Sequence, residues 1–574
     1  MRRFWRATGL LGVFFATSGT AWAQTMAVVA ACESKNPATS ITGCTTILNS
    51  GQDYGAYIFE AYVDRSLAES AQGNVTGAVA DATQAIAIAP ENARILVMRG
   101  KDYMALHQPT LALADASSAI ALDPTDPAAF VLRAGAEEIL GQAVPAMQSA
   151  QRALQLDPHN AGGYAILAMA YGMQRQWPQE ILAQTKILSL QPDDLAALLG
   201  RASAEAHTGA YGDVIQDANA ALALNPDVPD AYIDLGLAYL ATQQPARAIT
   251  DETRAITLAP TDPRPYFLRG QAYALAGNPG ADAADQSRAI ALAPGNGVPY
   301  AQRATAEAML GQNEAAIKDA TTAIALHAAS PGAYLTRATA ELQAGMNAQA
   351  ITDAQKSLAG GPPRALAYGT LGEAEAAEKH WHQDIAAQSK ALSLSPDDVP
   401  AYLDRSDAYQ ALHQYKPALA DDRQALALQP DNEDALFDQA DLFETLHEYN
   451  KSIANYNKLI KLVPGSPLVW NNRCWTRALA GQFQAALGDC DHALSLTPAD
   501  PNVLDSRGFV YLGMHRNHHA IASYSEALHL DPKMASSLYG RALAEQALGD
   551  KSAAASDFAA AQRDDPNIRK DFGT

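Results

Sequence analysis

Proline closes an apolar stretch at Pro90, Pro124, Pro158, Pro192, Pro226, Pro260 and Pro294, and again at Pro362, Pro396, Pro430, Pro464, Pro498, Pro532 and Pro566. Every step is a multiple of 34 residues, with Ala328 in the one place where proline is missing. A strict period over most of a 574-residue chain argues against one compact core, because such cores stop growing near roughly 250–300 residues. It calls for a stack of equal units, each burying its apolar face on its neighbours. Counting back one unit gives fifteen repeats, from Phe59 to Ile568.

Each unit reads as two helices. In the copy "RPYFLRGQAYALAGNPGADAADQSRAIALAPGN" (residues 264–296), Tyr266, Gly270 and Tyr273 share one face of the first helix, at the four- and three-residue spacing of an α-helix. Gly277 breaks the pattern, and the second helix carries Ala289 and stops at Pro294, where a ring without an N–H ends propagation. Asp126, Asn160, Asp194, Asp262 and Asp500 are placed to cap first helices. Pro127, Pro263 and Pro501 fit the first helical turn, which tolerates proline.

These residues make the chain resemble a tetratricopeptide repeat protein. That pattern has an aromatic at position four, here Tyr232, Tyr266, Tyr300, Tyr334, Tyr368, Tyr402 and Trp470. It has a small residue at position eight (Gly100, Gly236, Gly270, Gly372, Gly508) and usually Ala at position 27 (Ala85, Ala255, Ala391, Ala527). The resemblance implies an all-α fold, a right-handed superhelical solenoid of about fifteen 34-residue helix–turn–helix repeats. First helices would line a concave groove that binds other proteins or peptides. The expected domains are a signal peptide (1–23), a helical cap (24–58), the solenoid (59–568) and a tail (569–574).

The chain departs from the family at position seven, where Arg replaces Leu in eleven repeats, including Arg99, Arg269, Arg303, Arg405 and Arg541. Position 23 is Asp in ten repeats, and the two occur together nine times. A hairpin turning near position 15 puts these positions at one height, so the expectation is a structural Arg–Asp bridge within the repeat. Position 15 itself is Gly in eight repeats and His in four (His107, His413, His447, His515), which suits a left-handed helix end.

Arg2, Arg3 and Arg6, the apolar "ATGLLGVFFATSG" and the A-x-A site at Ala21–Ala23 read as an export signal with the mature chain starting at Gln24. "VAAC" (Val29–Cys32) also looks like a lipoprotein box, but polar "AQTM" separates it from the apolar core. No later stretch has the ~18 apolar residues of a membrane span. An oxidising periplasm favours disulfides. Cys474 and Cys490 are positions eight and 24 of repeat 13, opposite each other across the helix pair, and a disulfide is expected there. The sharper alternative is a nucleophilic Cys474 with His492. Cys32 with Cys44 is the second expected pair, sealing the cap. The cysteine-bearing segments resemble exported bacterial tetratricopeptide proteins of alphaproteobacterial type.

Chemistry is sparse. "HRNHH" (His515–His519) has the residues for Zn²⁺ or Ni²⁺, but His515 is a turn residue and the other two start an exposed helix, so neither a metal nor a cofactor is expected. There is no phosphate loop, H-E-x-x-H or G-x-S-x-G, and an enzyme is the third-ranked reading. The net charge of −21 argues against general nucleic-acid or anionic-membrane binding and favours basic partners.

The resemblance puts positions two, five, six, nine, twelve and thirteen on the groove. Repeats two to eight place mostly apolar residues there, such as Val97, Val131, Ile233, Leu237 and Phe267. Repeats ten to twelve place Glu373, Asp404, Asp407, Asp438, Asp441 and Glu444. Repeats 13 to 15 place Asn471, Asn472, Trp475, Asp505, Phe509 and Tyr539. The expected binding surface is this last group with the adjoining acids, holding a peptide with a basic flank. A carbohydrate or envelope polymer on the same aromatics is the alternative. A soft joint is expected near 328–365, where Ala328 replaces proline and "AGGPPRALAYG" carries two glycines.

Overall fold

The computed structural model describes residues 19–51 and 54–571. Most of the expected export signal lies outside these residues, as do 572–574. Two helices, Gly19–Cys32 and Pro37–Asn49, precede the repeats. They are joined by the Cys32–Cys44 disulfide, with Cα atoms 4.5 Å apart. A Cβ on Gly43 would lie within 2.8 Å of the Ala31 side chain, so glycine is required for this approach. Two helices per repeat follow, ending with the short Ile568–Asp571, and no strand occurs among the described residues. The fold is an all-α helical repeat.

Local chemistry sets the helix ends. Asp126, Asn160, Asp194, Asp262 and Asp500 each accept a first-turn N–H through their side chains. Position 15 has positive φ in every repeat, from Gly73 to Gly549. Glycine provides it in eight, and His107, Arg175, Gln243, Lys379, His413, His447 and His515 provide it in the rest. The non-glycine residues bear a small local strain for this conformation.

The nine Arg–Asp pairs form as expected, with closest N···O distances of 2.5–2.8 Å. In the Arg269 pair, Nε and Nη2 each donate to one oxygen of Asp285, the two-pronged geometry that guanidinium favours. The remaining prong reaches the preceding repeat, where Nη1 of Arg269 donates to Thr253. Arg405 does the same to Ser389, and Arg473 to Asn457. The guanidinium also lies against the aromatic of position four, as in Arg269 over Tyr266 and Arg473 over Trp470. That aromatic in turn donates to the carbonyl of the preceding repeat's proline (Tyr232 to Pro226, Trp470 to Pro464). Position seven therefore joins consecutive repeats as well as the helices of one repeat.

The helices form two compact units, Met1–Leu292 and Ala293–Thr574. Within each, consecutive first helices generally pack directly on one another, while second helices do not. First helices thus form the tighter, inner face. In the second unit, the first helix of repeat 12, Glu433–Thr445, lacks this close approach to its neighbours Val399–Ala411 and Pro467–Leu479.

Cys474 and Cys490 form a disulfide across repeat 13, with Cα atoms 5.5 Å apart. Both are fully buried. No free cysteine remains, so neither Cys474 as a nucleophile nor Cys32 as a lipid anchor has its thiol available. His492 instead packs its ring against Trp470.

Candidate functional site

The expected site lies on the first helices of repeats 10 to 15, within the second unit. Trp475, on Pro467–Leu479, and Phe509, on Pro501–Gly513, occupy equivalent positions. Their ring centroids are 4.8 Å apart, and both are half-buried. One turn earlier, Asn471 has a buried side-chain oxygen with no hydrogen-bond partner. Asp505 accepts from the Ser537 hydroxyl at 2.5 Å. Burial holds the Asp505 carboxyl above its usual range, and Ser537 and Ser536 only partly offset it. Tyr539 is 3% exposed and packs on Phe558, so it supports the surface from beneath.

A polar chain joins this pair to the acidic repeats. The Glu444 carboxylate accepts from the Thr476 hydroxyl at 2.6 Å and from the Trp475 indole. The buried Tyr456 phenol donates to Asp441 at 2.6 Å, and Asn472 is its second partner. Asn472, Trp475, Asp441 and Glu444 therefore belong to one continuous face.

Carboxylates crowd the next stretch. Burial, with Glu373, Asp407 and Asp398 adding to it, pushes Asp404 up to about 7. Burial, with Asp407, Asp422, Asp441 and Asp434 adding to it, pushes Asp438 up to about 7. Asp407 and Asp441 are raised chiefly by burial, although their side chains reach solvent. This is the combination expected inside a concavity.

Position 24 lies on the second helix of each repeat, opposite position eight. In several repeats it carries a long polar residue that passes the small residue at position eight. Gln286 lies against Gly270, Gln388 against Gly372, and Tyr524 against Gly508. Gln388 reaches through to donate to Asp404, at position six of the following repeat, at 3.1 Å. Tyr456 reaches Asn472, the equivalent position one repeat on. In repeats 10 and 12, second helices thus contribute to the inner face past Gly372 and Ala440. A bulky polar residue at 24 opposite a small residue at eight is the sequence signal for it.

His515, His518 and His519 are exposed, and His519 lies against Tyr511. Among the described residues, no group of three His, Cys, Asp or Glu converges as metal ligands. Arg264, at position two of repeat seven, is held by Asp230 and Asp262.

A tetratricopeptide repeat family model matches residues 97–161, 215–263, 397–467 and 507–567. A tetratricopeptide repeat protein from Parabacteroides merdae is 21% identical over 43% of this chain and 97% of its own, with a TM-score of 0.36. The APC/C hetero-tetramer Cut9–Hcn1 matches at 15% identity over 89% of this chain and 98% of its own, TM-score 0.33. PilW, a type IV pilus biogenesis factor, matches at 21% over 36% and 98%, TM-score 0.33. No curated protein matches the chain.

Proposed function

We propose that this tetratricopeptide repeat protein is a non-catalytic scaffold or adaptor of the bacterial cell envelope. It would bind an extended segment of another protein on the inner face of repeats 10 to 15. The observation that carries this reading is the Trp475–Phe509 pair, half-buried beside the unpaired side-chain oxygen of Asn471. Aromatic side chains dominate binding energy where interfaces form. An amide oxygen without a donor is suited to a peptide N–H. Repeats of this kind commonly serve as scaffolds for protein–protein interaction.

Two disulfides and no free thiol suit an oxidising, non-cytoplasmic compartment. No described helix is long and apolar enough to cross a membrane. Export through a cleaved signal, with Gln24 as the first mature residue, is consistent with both. Intact mass of protein recovered from the periplasm checks this.

The binding test is the double replacement Trp475→Ala with Phe509→Ala, after circular dichroism shows that helix is retained. Crosslinked partners should be lost. Unchanged recovery would remove the aromatic site, and retention of glycan in place of protein would favour the polymer-binding alternative.

A further inference from the structure

Position eleven is tyrosine in three of the nine Arg–Asp repeats (Tyr103, Tyr273, Tyr409), but glutamate in five (Glu69, Glu205, Glu307, Glu341, Glu545). It lies one helical turn after the arginine of position seven, so in these five repeats one guanidinium stands beside two carboxylates. The arginine is already committed. In Arg65, Arg201 and Arg541, Nε and Nη2 both donate to the aspartate, and Nη1 donates to a hydroxyl of the preceding helix pair. Glu205, Glu307, Glu341 and Glu545 approach it only to 3.7–4.0 Å, beyond hydrogen-bond reach. In all five glutamates Oε2 is buried without a hydrogen-bond partner.

Wherever the local sequence differs, the carboxylates find donors. In repeat 3, position 23 is Ser149, whose hydroxyl donates to Glu137 at 2.7 Å. In repeat 10, which has Leu371 in place of the arginine, His380 meets Glu375 at 2.7 Å. In repeat 13, position eleven is Arg477, which brings a second guanidinium to Asp489. Among the described residues, only the combination of arginine, aspartate and glutamate leaves an oxygen at position eleven unanswered. What that set lacks is a proton. A protonated glutamate leaves the guanidinium with a single anion and removes a buried charge. Burial, with the aspartate of the same repeat adding to it against the arginine, pushes Glu205 and Glu341 up to about 7. The same causes raise Glu69, Glu307 and Glu545. The other charged groups facing them are Asp213 at Glu205, Lys318 at Glu307, Lys356 at Glu341 and Asp550 at Glu545.

We propose that Glu69, Glu205, Glu307, Glu341 and Glu545 are five equivalent proton-binding sites, through which the helix pairs that carry them hold more firmly in acid than in neutral surroundings. An unfolded glutamate titrates at about 4.3. A carboxyl raised above that value by folding stabilises the fold below it, and the contribution is lost as pH rises through about 7. The sites lie between the two helices of a repeat and not on the inner face, so they stand or fall independently of partner binding.

The experiment compares thermal unfolding of the whole protein at pH 5 and pH 8 with that of Glu205→Gln with Glu341→Gln, which supplies the uncharged form at every pH. The double variant should have the higher Tm at pH 8, and the difference should shrink at pH 5. Glu137→Gln with Glu375→Gln, where both carboxylates already have partners, should bring no such gain. Hydrogen exchange of the unaltered protein, corrected for its intrinsic pH dependence, gives a reading that needs no variant. Protection should rise from pH 8 to pH 5 more in repeats 5 and 9 than in repeats 2 and 7, which carry Tyr103 and Tyr273 instead. An equal gain in the control pair, a gain in the double variant that does not depend on pH, or equal pH response in the tyrosine and glutamate repeats would each overturn the proposal.

Discussion

At the scale of single residues, the departure from the family at position seven has a physical basis. Arginine there is bonded to an aspartate, to a side chain of the preceding repeat and to an aromatic face at once. In repeat 11 these partners are Asp421, Ser389 and Tyr402. Arg405→Leu restores the residue the family prefers, yet it leaves Asp421 buried without its partner. It should cost about 3 kcal/mol in denaturant unfolding, whereas Arg405→Leu with Asp421→Leu should recover most of that loss. The raised carboxyls set a pH dependence. Asp384, Asp404, Asp422 and Asp438 titrate at about 7 in the folded chain, against about 3.9 when unfolded. Between these values the folded chain holds protons that the unfolded chain has released, so local stability rises as pH falls from 7 towards 4. Above pH 7 the full penalty of charging applies. The charged groups around them are Glu373, Asp398, Asp407, Asp421, Arg423, Asp434 and Asp441. Hydrogen exchange in repeats 10 to 12, corrected for its intrinsic pH dependence, should show greater protection at pH 5 than at pH 8. The difference should shrink in Asp422→Asn. A flat profile would contradict it.

At the scale of helices and repeats, what could be read from the sequence was what repeats. The helix pairs, the caps, the left-handed turns and the Arg–Asp pairs recur at fixed positions, so each copy reports on the others. The Cys474–Cys490 pair could be read for the same reason, since positions eight and 24 face each other in every hairpin. What could not be read depends on one repeat's relation to the next. The third contact of arginines such as Arg269, Arg405 and Arg473 crosses a repeat boundary, and so does the reach of Gln388 to Asp404. Tyr539 looks like a groove residue by position, but in the last repeat it packs with Phe558 and Ile568 in a closing cluster. The one break in the period makes its own prediction. The second helices Asn313–Ala325 and Asn347–Ala359 are 13 residues long, where Trp381–Leu394 and Tyr415–Leu428 are 14. His327 takes a left-handed conformation beside Ala328. Gly360 and Gly361 rest on Pro331, and glycine near a helix end weakens it by roughly 1 kcal/mol. Limited proteolysis of the native protein should cut first between residues 359 and 363. First cleavage elsewhere would place the joint elsewhere.

At the scale of the whole molecule, two faces of one array have different chemistry. The inner face of the second unit carries an aromatic pair, an unpaired amide oxygen and a row of carboxylates. Second helices such as Asn517–Leu530 turn short exposed residues like Ala522 outward. Binding by the inner face is the central claim, and it predicts that partners are captured from one side only. The direct measurement is photocrosslinking in intact cells, with the photoreactive residue placed either at Asn472 on the inner face or at Ala522 on a second helix, followed by mass spectrometry. The account predicts discrete protein adducts from position 472 and none of the same mass from position 522. The same adducts from both positions, or adducts from 522 alone, would contradict it.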